Sequence, residues 1–396
     1  MIKSTTLVTF EADSPDEALK EILEQLEDKI TLQKSTVGII SCNGEFIKGG
    51  VVAALQKGLP FPIVGEQSMT AASGGGGGGK YETDVFMLAI LVMTSDTVTF
   101  HAGTTAQIMP DTDLNIVARS IKDITDGVTP SLLFAFVPFL AGRSGDSYIA
   151  ALNNVIPGVP VFGSTAAGEE LTFSELYIVG KDECGENLFS YIAVCGDINP
   201  HFLMTSVKYE NKLSHSCVVT KSEDNVILEI NNKPAAEFFY QHGLLKREDP
   251  NVSQLAMFPF TIKAGETDSD DLGVCRAFAA IIPETDAIIA AGAVPVGSTM
   301  SLFSIDKEAI VETAVTLVKQ IDKIENANTV LIYSCMGRRM FLDMRLDEEV
   351  AAIAQEMRPN INFLATYSGG EFCPVHESGG GTTNYYHNYT LVTCIL

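Results

Sequence analysis

Apolar residues fall along this chain in short strand-length runs separated by stretches of helical spacing, and the same order recurs. Residues 5–10 can form a strand. Ser14-Pro-Asp-Glu17 then reads as a helix start, with proline at the first helical position and the serine placed to cap the amide of Glu17. Leu19, Ile22, Leu23, Leu26 and Ile30 follow at helical spacing. A first unit is predicted from Val37: strand 37–42, a turn at Gly44, a helix near 47–56 closed by Gly58 and Pro60, strand 61–64, then apolar runs 84–93 and 98–101. A second unit matches it in order: strand 132–137, turn Gly142-Arg-Ser-Gly145, helix 146–155 ended by Pro157-Gly158, strand 159–162, and strands 175–179 and 188–195. A third opens with strand 329–335, turns at Gly337-Arg338, runs a helix over 347–357 that stops before Pro359, and continues as strand 363–367 and a closing strand 388–396.

Between the second and third copies, residues 207–297 predict a strand at 226–230, a helix begun by Pro234 and an acidic loop, Glu266-Thr-Asp-Ser-Asp-Asp271. A helix over 307–321, with Asp306 as its cap, leads into the third copy. Strand-helix-strand followed by two more strands gives an α/β (mixed α+β) chain: mixed sheets flanked by helices, with a parallel pair in each copy. Two halves are expected, 1–206 with two copies and 207–396 with one.

Composition narrows the function. Lys plus Arg number 26 against 50 Asp plus Glu, a net charge of −24, so a nucleic-acid backbone would be repelled over most of the surface. No apolar run is long enough to span a bilayer and the N-terminus lacks the apolar core of a signal peptide, so neither membrane insertion nor export is expected. The 8 cysteines are scattered without a Cys-x-x-Cys, the pattern of buried thiols in a reducing, cytoplasmic setting.

Ligands of α/β units gather beyond the carboxyl ends of parallel strands, where helix N-termini offer free amides. Each copy puts polar residues there: Cys42, Asn43 and Gly44; Arg143, Ser144 and Asp146; Cys335, Gly337 and Arg338. A carboxylate follows each second strand, Glu66, Glu169 and Glu371. One reading is a polar pocket in which arginine meets a ligand carboxylate and glutamate an ammonium group. The other is structural: glycines fill tight turns, and each charge pairs with a side chain of its own repeat.

The segments Gly163-Ser-Thr-Ala-Ala-Gly-Glu169, Ser334-Cys-Met-Gly-Arg338, Tyr367-Ser-Gly-Gly-Glu371 and His387-Asn-x-Thr390 together resemble the FIST domain, in both its N-terminal and C-terminal halves. The resemblance implies a sensory, signal-transducing module for a small ligand, with amino acids the usual suggestion. It adds Ser164, Thr165, Tyr367, His387 and Asn388 to Arg143, Glu169, Arg338 and Glu371 as candidate ligand-binding residues. It implies a separate signalling protein as partner. No cofactor is expected, although haem association in some relatives brings His101, His201 and His387 into view as axial ligands.

Other chemistry is weaker. The run Gly74–Gly79 before Lys80 approaches a phosphate-binding loop, but Tyr81 stands where the magnesium-binding hydroxyl belongs and a strand follows where a helix is required. Cys373-Pro-Val-His376 has the spacing of half a zinc site with no second half. Ser164 and Cys335 sit on turns where a hydrolase could display a nucleophile, with His387 the one candidate base. A binding protein, not an enzyme, is expected.

Overall fold

The computed structural model describes residues 2–69, 71–75, 81–168, 175–206, 209–263, 274–342, 347–376 and 382–396. The first repeat comprises β1 (Lys3–Thr9), α1 (Pro15–Lys29), β2 (Ser35–Cys42), α2 (Gly44–Lys48), α3 (Val51–Gly58), β3 (Ile63–Gln67), β4 (Ala71–Gly74), β5 (Tyr81–Asp84) and β6 (Leu88–Ser95). The second comprises β7 (Thr99–Thr104), α4 (Asn115–Ile124), β8 (Leu132–Val137), α5 (Gly145–Val155), β9 (Val161–Thr165), β10 (Ile178–Val179), β11 (Cys184–Gly185) and β12 (Ser190–Cys195). The third starts with β13 (His201–Ser206) and is then interrupted.

The interruption is an insertion with its own sheet: β14 (Tyr209–Glu223), β15 (Val226–Ile230), β16 (Lys233–Pro234), α6 (Ala235–Gln241), α7 (Ser253–Ala256), β17 (Phe260–Lys263), β18 (Val274–Arg276), β19 (Phe278–Ile282), β20 (Ala287–Ala290) and β21 (Thr299–Ile305). The third repeat resumes with α8 (Glu308–Ile321), β22 (Thr329–Cys335), α9 (Met336–Phe341), α10 (Glu348–Glu356), β23 (Asn362–Ser368), β24 (Gly370–His376), β25 (Thr382–His387) and β26 (Thr390–Ile395). The expected dividing point at 206/207 thus falls at the end of β13, where the third repeat gives way to its insertion.

Each repeat contributes a parallel pair, β2–β3, β8–β9 and β22–β23, as expected. The fourth strand of each repeat leaves its own sheet. β4 pairs with β23, β10 with β3, and β24 with β9, all antiparallel, so the three repeats exchange strands in a closed cycle. The return strands β6, β12 and β26 come back beside β2, β8 and β22. Three six-stranded sheets result, each made from two or more repeats.

Alternation along the strands places the core. Val37 and Ile39, Phe134 and Phe136, and Leu331 and Tyr333 share one central cluster among the three sheets. Their neighbours Ile40, Leu133 and Ala135, and Val330 and Ile332 face outward under the helix pairs α1/α3, α4/α5 and α8/α10. Strands buried on both faces explain why these segments read as continuous apolar runs. The insertion has a separate core around Phe239, Phe260, Ile288 and Leu302.

At the matching point of the first two repeats, Gly65 and Gly163 lie so close to the parallel neighbour that a Cβ would stand 1.9 Å from the Ile40 carbonyl oxygen and 1.8 Å from that of Ala135. Two helix expectations change: the single helix expected near 47–56 is two, α2 and α3, parted at Gly49 and Gly50, and one expected cap is not made. Asp306 does accept from the amides of Glu308 and Ala309 at 3.1 and 3.3 Å. The Ser14 side chain makes no capping bond; Pro15 opens α1, and the amides of Asp13 and Ser14 donate instead to Glu11.

Candidate functional site

The carboxyl ends of the parallel pairs converge at one end of the central core, and a belt of hydroxyl and carboxyl groups is buried there. By register, Glu66 lies opposite Ser41 and Ser164 opposite Phe136, the same place in two successive repeats. The two meet, the Ser164 hydroxyl donating to the Glu66 carboxylate. Ser41 and Ser68 of the first repeat bond to Thr366 of the third. Glu371, on the exchanged strand β24, stands opposite Ser164 and accepts from Ser368 at 2.6 Å and Thr390 at 2.7 Å. Thr165 shares a 3.0 Å hydrogen bond with the Tyr386 hydroxyl.

Burial governs the electrostatics. Removal from water pushes Glu66 up to about 8, against the Ser164 hydrogen bond and with added repulsion from Glu371. Glu371 is likewise pushed up to about 8 by burial, in spite of its two hydroxyl donors. Both acids are therefore largely neutral near pH 7. The carboxylates expected after each second strand are not equivalent: Glu66 is on its own repeat's β3, Glu371 has crossed to another sheet, and Glu169 lies outside the described residues.

The expected arginines are held inside the protein. Arg338, fully buried, donates to Glu349 at 2.9 and 2.6 Å, to the Ile310 carbonyl at 3.1 Å and to Thr313 at 3.0 Å. Glu349 takes the place expected for a ligand carboxylate. Arg143, half-buried, donates to the carbonyls of Pro110 and Thr112. Tyr367 is fully buried, with Arg339 over its ring at 5.8 Å.

His387 also turns inward. Burial drives it down to about 4, so the ring is neutral, and Nε2 donates to the Cys373 carbonyl at 3.2 Å. The Asn388 side chain donates to the His387 carbonyl at 2.9 Å. Neither nucleophile candidate has His387 as partner: Ser164 donates to Glu66, and the Cys335 thiol, raised by burial and by Glu371, is a poor thiolate source. His101 lies on edge strand β7 and His201 is exposed at the start of β13, beside Asn199. Among the described residues no cluster of three or more His, Cys, Asp or Glu could hold a metal. Most of the glycine run before Lys80 and the acidic loop 266–271 lie outside the described residues.

The insertion covers this end of the strands and contacts two repeats. At the third, Cys335, Gly337, Gly369 and Tyr389 face Ala277, Ala279 and Ala291 of the insertion around an apolar cavity of about 30 Å³. A Cβ on Gly337 would stand 2.4 Å from the Tyr389 ring, so the helix start can be no bulkier. At the second repeat the contact is polar. Arg276 of the insertion donates to both oxygens of Asp146 at 2.9 and 3.0 Å, and the Ala293 amide donates to Asp146 at 2.9 Å; Arg276 also donates at 3.2 Å to the carbonyl of Tyr386, on the third repeat's β25. Asp224, in a left-handed turn at φ 51°, accepts from the Ser144 amide at 3.1 Å and from the Ser147 hydroxyl. Asn225 bonds to Gly142 and Leu140. Sequence reading missed Asp224, Asn225 and Arg276, whose only local signal is a turn-forming Asp-Asn pair.

A different cavity, of about 330 Å³, opens at the far end of the sheets between Val98, Asp197, Asn326 and Asn328. None of the candidate ligand-binding residues lines it.

Comparison with known proteins fits this arrangement. No curated protein matches the chain. Among solved structures it is similar to one described as "Cyanuric acid hydrolase: evolutionary innovation by structural concatenation", at 10% identity over 77% of this chain and 99% of that one, with a TM-score of 0.29. At that score the likeness carries no argument about activity. The FIST N domain matches residues 6–233, the first two repeats and the start of the insertion. The FIST C domain matches 235–374, the remaining insertion and most of the third repeat. Between them they take in nearly the whole chain, which therefore belongs to the FIST family of sensory, signal-transducing domains.

Proposed function

We propose that this chain is a sensing module that binds a small metabolite where the insertion closes over the strand ends, and reports occupancy to a separate signalling protein through the position of the insertion. One observation carries the reading. The segments that resemble the family, around Cys335, Gly337, Gly369 and Tyr389, line the junction cavity together with residues of the insertion. A cavity of about 30 Å³ holds little more than a water molecule. A metabolite therefore enters only as the insertion shifts, which couples occupancy to its position.

The lining favours a ligand with a short aliphatic part over a nucleotide or another densely charged molecule. Aliphatic amino acids and short carboxylic acids are the first candidates, in keeping with the family. Binding without turnover agrees with the inward-facing His387 and the thiol of Cys335 held protonated by burial.

A thermal-shift screen of the full chain against amino acids and short carboxylic acids tests the reading, because a ligand bound only by the native state raises Tm by mass action. The expected result is a shift with one aliphatic member, lost in Ala277→Phe, which fills the junction. A flat profile across the panel in cooperatively melting protein overturns it.

A further inference from the structure

The start of α5 carries more hydrogen-bond donors than its present partner satisfies. Asp224 takes the Ser144 amide and the Ser147 hydroxyl through one oxygen, Oδ2. Around this contact three buried donors have no partner, the hydroxyls of Ser144 and Tyr148 and Nε of Arg143, and the second oxygen of Asp224, Oδ1, engages none of them. Ser144 and Tyr148 are each only 1% exposed. The charges of Arg143 and Asp224 both bear on the Tyr148 hydroxyl, and Asp224 accepts from Ser144, so the four groups share one neighbourhood. Unsatisfied buried donors cost free energy that a native structure rarely leaves unrecovered.

The corresponding position of the first repeat has no such surplus. There Asn43 caps α2 with its own side chain, accepting from the Glu45 amide at 3.0 Å. In the second repeat the side chain at the helix start, Ser144, is left unused, and a carboxylate is brought in from the insertion.

We infer that the start of α5 is a binding site for a small oxyanion, occupied here by the insertion's own Asp224, and that an external oxyanion competes with Asp224 for it. The site combines main-chain and side-chain donors at the positive end of a helix of 11 residues. An anion with three or more oxygens can accept from Ser144 through both its amide and its hydroxyl, and from Ser147, Tyr148 and Arg143, whereas the tethered carboxylate reaches two of these five donors. Displacing Asp224 removes one of the polar contacts that hold the insertion against the second repeat. The inference rests on the sensing role proposed above and supplies a way for a ligand to move the insertion.

The test compares wild type with Asp224→Gly, a substitution that suits the left-handed turn. Full-length protein is titrated with inorganic phosphate and, in a parallel arm, with acetate. The glycine variant is expected to bind one of the two saturably, about tenfold or more tighter than wild type, because the internal competitor is gone. Preference for phosphate assigns a phosphoryl ligand and preference for acetate a carboxylate. Arg143→Met in the glycine background should abolish the binding. Equal affinity in wild type and variant, binding that survives Arg143→Met, or no saturable binding of either anion overturns the inference. Should the glycine variant not fold, Asp224→Asn keeps the turn, removes the charge and serves the same comparison. If the anions fail while the metabolite screen still shows its shift, the oxyanion site is refuted and the sensing role stands.

Discussion

Two of the arginine–carboxylate pairs, each with a buried arginine, differ in what they join. Arg338 and Glu349 belong to one repeat, are both fully buried, and meet at 2.6 Å with Ser334 and Thr313 completing the network. Arg276 and Asp146 join the insertion to the second repeat, and the Asp146 side chain retains 34% exposure. The first pair is a fixture of the fold, since breaking it leaves a charge in a medium that cannot solvate it. The second is a seam, since water can reach the carboxylate if the arginine withdraws. If the insertion moves as proposed, the first pair belongs to the part that stays rigid and the second to the part that yields.

The largest expected effect comes from Arg338→Ala, which strands Glu349 and should destabilise the chain by about 3–5 kcal/mol. Chemical denaturation measures it; a loss below 1 kcal/mol would erase the distinction between fixture and seam. Next is the pH dependence set by the two neutral acids of the belt. Glu66 and Glu371 have folded values of about 8 against the ordinary 4.5, so the native state holds their protons where the unfolded chain releases them. Stability should be greatest below pH 4.5 as far as these groups are concerned, fall as pH rises toward 8, and level off above it. Glu66→Gln should remove its share; an unchanged slope would mean the acid is ionised in the fold.

Arg276→Met should cost about 2 kcal/mol, the scale of hydrogen bonds to a charged group. Its signature is faster proteolysis within the insertion while the repeats stay protected. Uniform loss of protection would show that insertion and repeats unfold as one. The smallest effect sharpens the picture at helix starts: Asp306→Ala should lower stability by about 1 kcal/mol and Ser14→Ala by less than about 0.5, because only the aspartate makes capping bonds. Equal losses in urea melts would contradict that assignment.

Much of the fold was legible because its signals are local. The three parallel pairs sit on apolar runs such as Leu132–Val137, and the repeat order follows from their spacing with the glycine turns. The strand predicted at 226–230 is β15, and the helix begun by Pro234 is α6. Less of the site was readable. Arg338, Glu371 and His387 stand in recognisable segments, yet a segment does not say which way a charge faces. Glu349, the second residue of α10, lies 11 residues from the arginine it neutralises and looks like any surface glutamate in sequence.

By itself, then, the sequence determined the unit: strand, helix and strand recurring three times, a long segment parting the second parallel pair from the third, and a family signature at the turns. Periodicity and turn chemistry act over a few residues, so they can be read along the chain. Only the tertiary structure decided that β4, β10 and β24 cross to neighbouring sheets, that Ser164 meets Glu66 from 98 residues away, and that Asp224 occupies the start of α5 from 80 residues away. These choices depend on which buried surface and which unsatisfied donor lie nearest once three sheets have closed on one another. No local pattern encodes that distance.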